Sequence, residues 1–551
     1  MTDAAPPAAA PPVAAPGGSV VLACDLGGTS FRAALVDGEG RTLALAVLPG
    51  PTPSDRMGFS EVDATLWWDA LRLSCARLAA EAPAAFAGVE AVAICGVTRT
   101  QVFLGRDGRQ LRPAMTWKDA RAERAAARLK ARAPAGHPEA PRLNAFHPLA
   151  RLAWLAEEEA ASFRNLARVL EPKDYLNLRL TGVEAGDPVS CARLLAAAAP
   201  FEGASLLDAV GADAALLPPL REPWDVIGEV SPGLPPPLDR LAGARVACGA
   251  SDTYAAALGL GAVRPGLAYN ISGTTEVLGV TAAEPAQAEG LLTVDWRGLH
   301  QLGGPSQNGA DAAAWLVELL GPRADDAGGA GVGAALDALL AAKRHPQPVL
   351  FLPSLQGERV PHWDAARRGA FLGLHRAHGA PDLAWAVLEG VAFLNRLVLE
   401  RAEAATGTRV REIRFGGGAA ANAAWAQAKA DICRRPVAVG AAAEPGVLGC
   451  AILALVGLGR FPGVAEGQER LARVARRFEP DPARAKAYDA LYALHRRADE
   501  ALAPLSHALV ELSRETPVLP GVPSAADGAP PPPRPARGAE TPHGARMTVL
   551  A

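Results

Sequence analysis

The sequence predicts an α/β protein of two domains, and three observations carry that reading. Short apolar runs of strand type alternate with longer stretches of helical periodicity. The alternation occurs twice, because the second half of the chain repeats the theme of the first. The loop Asp25-Leu-Gly-Gly-Thr-Ser30 returns in altered form as Asn270-Ile-Ser-Gly-Thr-Thr275, which suggests that the halves are related. At 551 residues the chain is long enough for two substantial cores.

The elements follow in order. Val20–Cys24 reads as a buried strand, Phe31–Val36 as its partner, and Asp37–Gly40 as the turn into a third strand, Arg41–Val47. Val89–Cys95 is another buried strand. Phe103–Gly105 and Gln110–Pro113 flank Arg106-Asp-Gly-Arg109 and predict a hairpin through Asp-Gly. Helical patterns cover Asp119–Arg132 and Pro148–Ala161. Strands at Arg245–Cys248 and Ala268–Ser272 bracket a small-residue helix, Thr253–Leu260. Helices at Ala310–Leu320 and Asp382–Ala404, a strand at Arg411–Phe415 and a helix at Ala423–Cys433 complete the second half. The expected division is a tail at 1–18, a domain at 19–262, a second at 263–516 and a tail at 517–551. Both tails are rich in Pro, Ala and Gly, with too little apolar content to offset the entropy of ordering.

Composition removes several classes of function. Hydrophobic residues are 50% and charged residues 21%, which is globular. A net charge of −3 gives no argument for nucleic acid or for an acidic membrane surface. Only six of 55 basic residues are lysines, an arginine excess read as codon bias. Seven isolated cysteines without a C-x-x-C pair argue against a zinc site and a disulfide framework, and fit a reducing cytosol. The longest uncharged apolar run outside the N-terminal tail, Pro445–Gly459, is too short to span a bilayer.

The chemistry lies in three small-residue segments. Cys24-Asp-Leu-Gly-Gly-Thr-Ser-Phe-Arg32 ends a strand in glycines, so backbone N–H groups can approach a phosphate closely. Asp25, at its start, is placed to hold Mg²⁺ directly or through water. Ile271-Ser-Gly-Thr-Thr275 is a second loop of the same kind. In Cys248-Gly-Ala-Ser-Asp-Thr-Tyr254 a lone carboxylate, Asp252, is available to take a proton from a phosphoacceptor hydroxyl. Two phosphate loops and an isolated carboxylate are the parts of a small-molecule kinase. No lysine follows a glycine, which removes the P-loop, and no G-x-G-x-x-G follows a strand. Gly416-Gly417-Gly418, after a strand, offers bare backbone to an adenine or ribose, with Asn422 as its polar reader; a helix-start turn is the plainer alternative.

Longer stretches now bear on the reading. Phe146-His-Pro-Leu-Ala-Arg-Leu-Ala-Trp-Leu-Ala-Glu-Glu158 is one. Gly369-Ala-Phe-Leu-Gly-Leu374, followed after seven residues by Asp382-Leu-Ala-Trp-Ala-Val-Leu-Glu389, is another. Trp117-Lys-Asp-Ala-Arg121, Lys173-Asp-Tyr175, Leu180-Thr-Gly182 and Gly357-Glu-Arg359 accompany them. With these segments the chain resembles the FGGY family of carbohydrate kinases, over nearly everything between residues 20 and 500. The first signature departs at Arg151, where lysine is usual, on what reads as a helix surface.

The resemblance implies two actin-like, ribonuclease H-type domains closing over a cleft. Sugar would sit mainly on the first and ATP mainly on the second. It implies Asp252 as catalytic base, and Asp25, Gly28, Thr29, Ser30 and Arg32 as the first phosphate motif. Gly273 and Thr274 would form the second, with Gly417, Gly418 and Asn422 in the adenosine pocket and Gly309 contributing. Gln101 and Val102 are assigned to the place where glycerol kinases carry Arg-Glu and many xylulokinases Met-His, and Thr253 follows the base. The expected activity is ATP- and Mg²⁺-dependent phosphorylation of a small sugar or polyol, with a ketopentose leading and glycerol, erythritol or ribulose as alternatives. The expected partners are sugar and ATP, with neither nucleic acid nor membrane, and a homodimer is compatible with the reading. A hexokinase-like sugar kinase shares the first loop but not the two signatures. A non-catalytic sugar sensor would not need Asp252.

Overall fold

The computed structural model describes residues 18–51, 54–56, 58–273, 275–321 and 331–515. Thr274 and, apart from Gly18, the expected tails lie outside the described residues.

The backbone is organised around two sheets. The first contains β1 (Val20–Leu26), β2 (Ser30–Asp37), β3 (Thr42–Pro49), β4 (Val89–Gly96), β5 (Val226–Glu229) and β6 (Arg245–Ala247). Its order is β5-β6-β4-β1-β2-β3. The second contains β7 (Leu267–Ser272), β8 (Glu276–Ala282), β9 (Leu292–Asp295), β10 (His300–Pro305), β11 (Glu412–Gly416), β12 (Val437–Gly440) and β13 (Val474–Phe478). Its order is β9-β10-β8-β7-β11-β12-β13.

The two sheets share one plan. An antiparallel meander, β1-β2-β3 or β7-β8-β10, is extended on its first strand by two parallel strands, β4 and β6 or β11 and β12. An antiparallel strand closes each outer edge, β5 or β13. The short internal repeat seen in the sequence therefore marks a duplicated architecture, the two-domain actin-like fold.

Six helices matter for the site: α1 (Pro172–Thr181), α2 (Asp252–Gly259), α3 (Ala310–Leu320), α4 (Ala380–Thr406), α5 (Ala423–Cys433) and α6 (Pro445–Gly457). The period-2 alternation of β1 divides its side chains between two cores. Leu22, Cys24 and Leu26 pack with Trp67, Trp68 and Leu71 of the helix Thr65–Glu81. Val21 and Ala23 face Tyr254 and Ala255 of α2 and Val447 and Ile452 of α6. The apolar run at 445–459 is thus a core helix, supplied from late in the chain to the first sheet. Helices α3, α4 and α5 cover the second sheet.

Helices α2 and α6 meet through backbone. A Cβ on Gly449 would lie 1.8 Å from the Ala255 carbonyl oxygen, and one on Gly259 would lie 1.9 Å from that of Pro445. Glycine is the only residue that permits this approach from both sides.

Three local expectations change. The Asp-Gly turn forms, with the Gly108 N–H donating to the Gly105 carbonyl at 3.0 Å. However, the strand Val102–Gly105 takes its main partner from Leu166–Leu170. The helix expected from Asp119 starts at Glu123. The Asp119 carboxylate is committed to the Ser60 N–H at 2.8 Å and to Arg121 at 2.6 Å. Arg151 is fully buried, not on a helix surface, and donates to the backbone carbonyls of Arg99 and Asp119.

Candidate active site

The first hairpin turns at Gly27–Thr29 between β1 and β2. Gly27 N–H donates to the Ser30 carbonyl at 3.0 Å, and Gly50 N–H to that of Thr29 at 2.9 Å. Gly28 and Thr29 are exposed. Among the described residues their N–H groups make no hydrogen bond, and the buried Ser30 hydroxyl has no partner. This turn is prepared for a phosphate. Asp25 pairs across the hairpin with Arg32. Burial raises its pKa, while Arg32 and the Cys95 thiol, which donates to Oδ1 at 3.4 Å, oppose the rise. Arg32 also forms an ion pair with Glu444 at 2.9 Å. On the other side, a Cβ on Gly446 of α6 would lie 2.4 Å from Asp25 Oδ2.

Asp252 begins α2, just beyond the carboxyl edge of the first sheet. Ser251 caps this helix by accepting from the Tyr254 N–H at 3.2 Å. The segment before it is tied down at several points. Gly96, at the end of β4, donates to the Ala250 carbonyl at 3.2 Å. Gly249 has φ +76, and a Cβ there would lie 1.9 Å from the Ile94 carbonyl oxygen. The Cys248 carbonyl accepts from Lys173 at 3.2 Å and from Asn177 at 2.8 Å, both on α1. Lys173 is itself held between Asp174, at 2.5 Å, and Asp187, at 2.8 Å, all three buried. Asp252 Oδ1 accepts from the Thr253 N–H at 2.6 Å and from its hydroxyl at 3.1 Å. Oδ2 has no partner among the described residues. Burial, and then the charge of Asp25, raise the Asp252 pKa to about 7.

The second hairpin turns between β7 and β8. Gly273 N–H donates to the Thr275 carbonyl at 3.0 Å, and Ala310 N–H, at the start of α3, to the Gly273 carbonyl at 2.9 Å. Gly309 lies against this turn, since a Cβ there would be 2.6 Å from the Thr275 carbonyl carbon. Gly417 has φ +86, and a Cβ would come within 2.4 Å of the Ser272 carbonyl oxygen, so it joins the same surface. Gly418 is open, with nothing within 4 Å of a would-be Cβ. Asn422 acts here as the cap of α5, accepting from the Trp425 N–H at 2.7 Å and donating to Asp337 at 2.6 Å. Both ends of its amide are engaged.

The strand after β4 divides Gln101 from Val102. Val102 is fully buried among Leu104, Leu170 and Tyr175, whereas Phe103 packs in a different core with Met115. Neighbouring strand residues point to opposite faces, so Val102 is a core residue and its side chain points away from that of Gln101. Gln101 is also buried, but its amide oxygen and nitrogen both lack partners.

Sequence reasoning missed Arg99. It stands three residues past the end of β4 with φ 61, a left-handed conformation uncommon outside glycine. Glu171 accepts from its N–H at 3.2 Å and from that of Thr100 at 3.1 Å. Arg359, from the second half, lies over the Trp117 ring at 5.1 Å, and Arg193 donates to the Thr293 carbonyl at 3.0 Å. These contacts bridge the halves beside Arg99. Trp117 and Arg359 each lie in a stretch singled out in the sequence, whereas Arg193 lies in none.

With this geometry in place, comparison with known proteins is informative. Residues 20–259 match the N-terminal domain of the FGGY family of carbohydrate kinases, and residues 268–458 match its C-terminal domain. The xylulose kinase of Escherichia coli K12 is 28% identical over 502 residues, covering 88% of this chain and 99% of that protein. A glycerol kinase of Aromatoleum aromaticum is 30% identical, covering 84% of this chain and 94% of its own. The crystal structure of a Brucella ovis protein described as a xyloylose kinase superposes with a TM-score of 0.77 at 29% identity, over 89% of this chain and 100% of that one. Two duplicated sheets, a glycine hairpin in each and a carboxylate between them thus coincide with both family domains, and the chain belongs to the FGGY family of carbohydrate kinases.

Proposed function

We propose that this carbohydrate kinase transfers the γ-phosphoryl group of ATP to a hydroxyl of a small acyclic sugar or polyol, with Asp252 as general base. One observation carries the assignment. Thr253 holds Oδ1 of Asp252 from two donors and leaves Oδ2 free beside a hairpin with unused N–H groups. A carboxyl whose pKa lies near 7 is matched to accepting a hydroxyl proton at neutral pH. As its proton passes to Asp252, the substrate hydroxyl oxygen would bond to the γ-phosphorus in line, the bond to the β–γ bridging oxygen would break to release ADP, and the backbone N–H groups of the hairpins would stabilise charge on the moving group.

The residues suit a magnesium ion delivered with ATP. Asp25 is a carboxylate whose burial is offset only in part by Arg32 and a thiol. Among the described residues no three His, Cys, Asp or Glu cluster as a ready-made cage. Mg²⁺ prefers such a sparse site, keeping waters and taking phosphate oxygens. When bound, it would neutralise phosphate charge, and Asp25 would hold it.

We assign 19–262 and 263–516 as the two domains. Closure between them would exclude water, which otherwise competes as acceptor. The xylulose kinases among the relatives make a ketopentose the reference substrate. The test is a screen of pentuloses, pentitols, tetritols, glycerol and hexuloses by ADP production, repeated with Asp252→Asn. The expected result is sugar-dependent ADP release that falls by roughly two to four orders of magnitude in the variant, while sugar and ATP still bind. Turnover close to wild type would assign the proton to another group. Sugar binding without ADP release would indicate a sensor.

A further inference from the structure

We propose that the second half of the chain carries a further ligand site, outside the candidate active site, that takes a small organic anion with an apolar body and is linked to nucleotide binding through the loop 357–368.

The site is a cavity of about 150 Å³ between α4 and the long C-terminal helix α7 (Pro482–Glu515). Phe393 and Leu397 of α4 and Tyr492 of α7 supply apolar walls. The rings of Phe393 and Tyr492 are stacked with their centroids 6.0 Å apart. An apolar cavity of this volume accepts a molecule about the size of benzene.

Charge gives the cavity a sign. Arg401, on α4, donates to the backbone carbonyls of Glu289 at 3.1 Å and Pro361 at 3.2 Å. It has no carboxylate partner among the described residues. Arg367 spends Nη1 on Asp499 at 2.6 Å, while its buried Nε makes no hydrogen bond. The carboxylates of the wall are engaged elsewhere. Asp499 is shared between Arg367 and His362, the latter at 3.0 Å. The Glu500 side chain is 69% exposed, with Arg496 3.6 Å away. A cation without a counter-charge, set beside aromatic and aliphatic walls, selects a carboxylate or phosphate on a compact apolar body.

One loop joins this cavity to the phosphate hairpins. His362 and Arg367 line the cavity, and the His362 N–H donates to the Arg359 carbonyl at 2.7 Å. Glu358 and Asp364 exchange backbone hydrogen bonds of 2.9 and 2.8 Å across the same loop. The buried Glu358 carboxylate accepts from the Gln307 N–H at 2.5 Å and from the Arg359 N–H at 2.9 Å. Gln307 lies two residues before Gly309, which rests against the second hairpin. Arg359 lies over Trp117, and a Cβ on Gly28 of the first hairpin would be 3.5 Å from Trp117 Nε1. The loop that walls the cavity therefore abuts both hairpins. An anion adds contacts to this loop as it is strapped here, so it favours the arrangement that supports the hairpins. Such linkage is reciprocal: nucleotide and anion change each other's affinity by the same factor.

The test uses the full chain and reads binding, not turnover, so it does not depend on the role of Asp252. Benzoate and phenyl phosphate are titrated by calorimetry, with benzyl alcohol as the neutral control and inorganic phosphate as the control for charge alone. One of the two anions should bind at least about tenfold more tightly than either control, the worth of one charge-assisted contact, and which one does so tells carboxylate from phosphate. When that anion is saturating, a non-hydrolysable ATP analogue should bind about fivefold more tightly. Arg401→Gln should remove the preference over benzyl alcohol. Leu397→Trp, which fills the cavity, should abolish anion binding while the analogue alone binds as before. Should Leu397→Trp fail to fold, as its Tm would report, Arg401→Gln decides. A control that binds as tightly as the anions, or a preference that survives Arg401→Gln, would overturn the inference. Displacement of the anion by the analogue would place it in the nucleotide pocket and also overturn it, as would an affinity for the analogue that is unchanged or weakened by the anion.

Discussion

The two hairpins occupy the same place in the two sheets, yet they treat one equivalent position in opposite ways. In the first, Asp25 is a half-buried carboxylate facing Arg32, Cys95 and Gly446. In the second, Asn270 stands at the matching point of the repeat and is buried. Its amide donates to Glu276 at 2.7 Å and to the Val277 carbonyl at 3.2 Å, and Glu276 is paired in turn with buried Lys429. A duplicated frame has kept charge available in one copy and folded polarity into the core in the other. Both hairpins retain a buried, unpartnered hydroxyl, Ser30 and Ser272. The unpartnered hydroxyl is therefore shared, and the carboxylate is not.

The largest expected effect comes from making the first hairpin like the second. Asp25→Asn should lower kcat by roughly a hundredfold or more while sugar affinity, measured by calorimetry, stays within about twofold. A loss of sugar affinity with an unchanged Mg²⁺ requirement would break the comparison.

The reciprocal change should act on stability. Asn270→Asp adds a buried carboxylate beside Glu276 with one lysine between them, and should destabilise the fold by about 3 kcal/mol in denaturant titrations. A neutral outcome would mean that the second hairpin tolerates charge as readily as the first.

Two glycines of α6 sharpen the distinction between seam and site. Gly449→Ala presses on the Ala255 backbone and should cost about 1–3 kcal/mol. Gly446→Ala presses on the Asp25 carboxylate and should reduce kcat by about tenfold, a far larger relative effect than its effect on Tm.

The pH dependence follows from Asp252. Burial and the negative charge of Asp25 disfavour its ionised form and raise its pKa to about 7. A base must be ionised to accept a proton, so kcat/KM should fall tenfold per unit as pH drops below about 7. A profile flat down to pH 5 would exclude Asp252 as the titrating base. The smallest expected effect belongs to Val102. Val102→Thr should cost about 1–2 kcal/mol for its buried hydroxyl and leave the ratio of kcat/KM values among substrates unchanged.

What the sequence could not show has a consistent cause. Helices Ala310–Leu320 and Ala423–Cys433 were bounded correctly, because glycine or asparagine precedes an uninterrupted periodic run. The partner of Val102–Gly105 lies some sixty residues away at Leu166–Leu170, and only tertiary pairing selects it. Gln101 and Val102 were assigned together because the motif named neighbouring positions, while the strand sends them apart. Arg151 looked like a surface residue because a charged side chain on an amphipathic helix usually is one; its guanidinium instead satisfies carbonyls inside the fold. Arg99 was given no role because what holds its backbone, Glu171 and Arg151, is remote in sequence.

The contact between α2 and α6 sets backbone against backbone on one face of the first sheet. Helices that interlock through ridges of large side chains are fixed at one crossing angle. Here carbonyl oxygens rest against glycines on both sides, so the two helices lie closer than any side chain would allow. Because Gly446 begins α6 against Asp25, any shift of this helix on the first sheet would be felt first at that carboxylate.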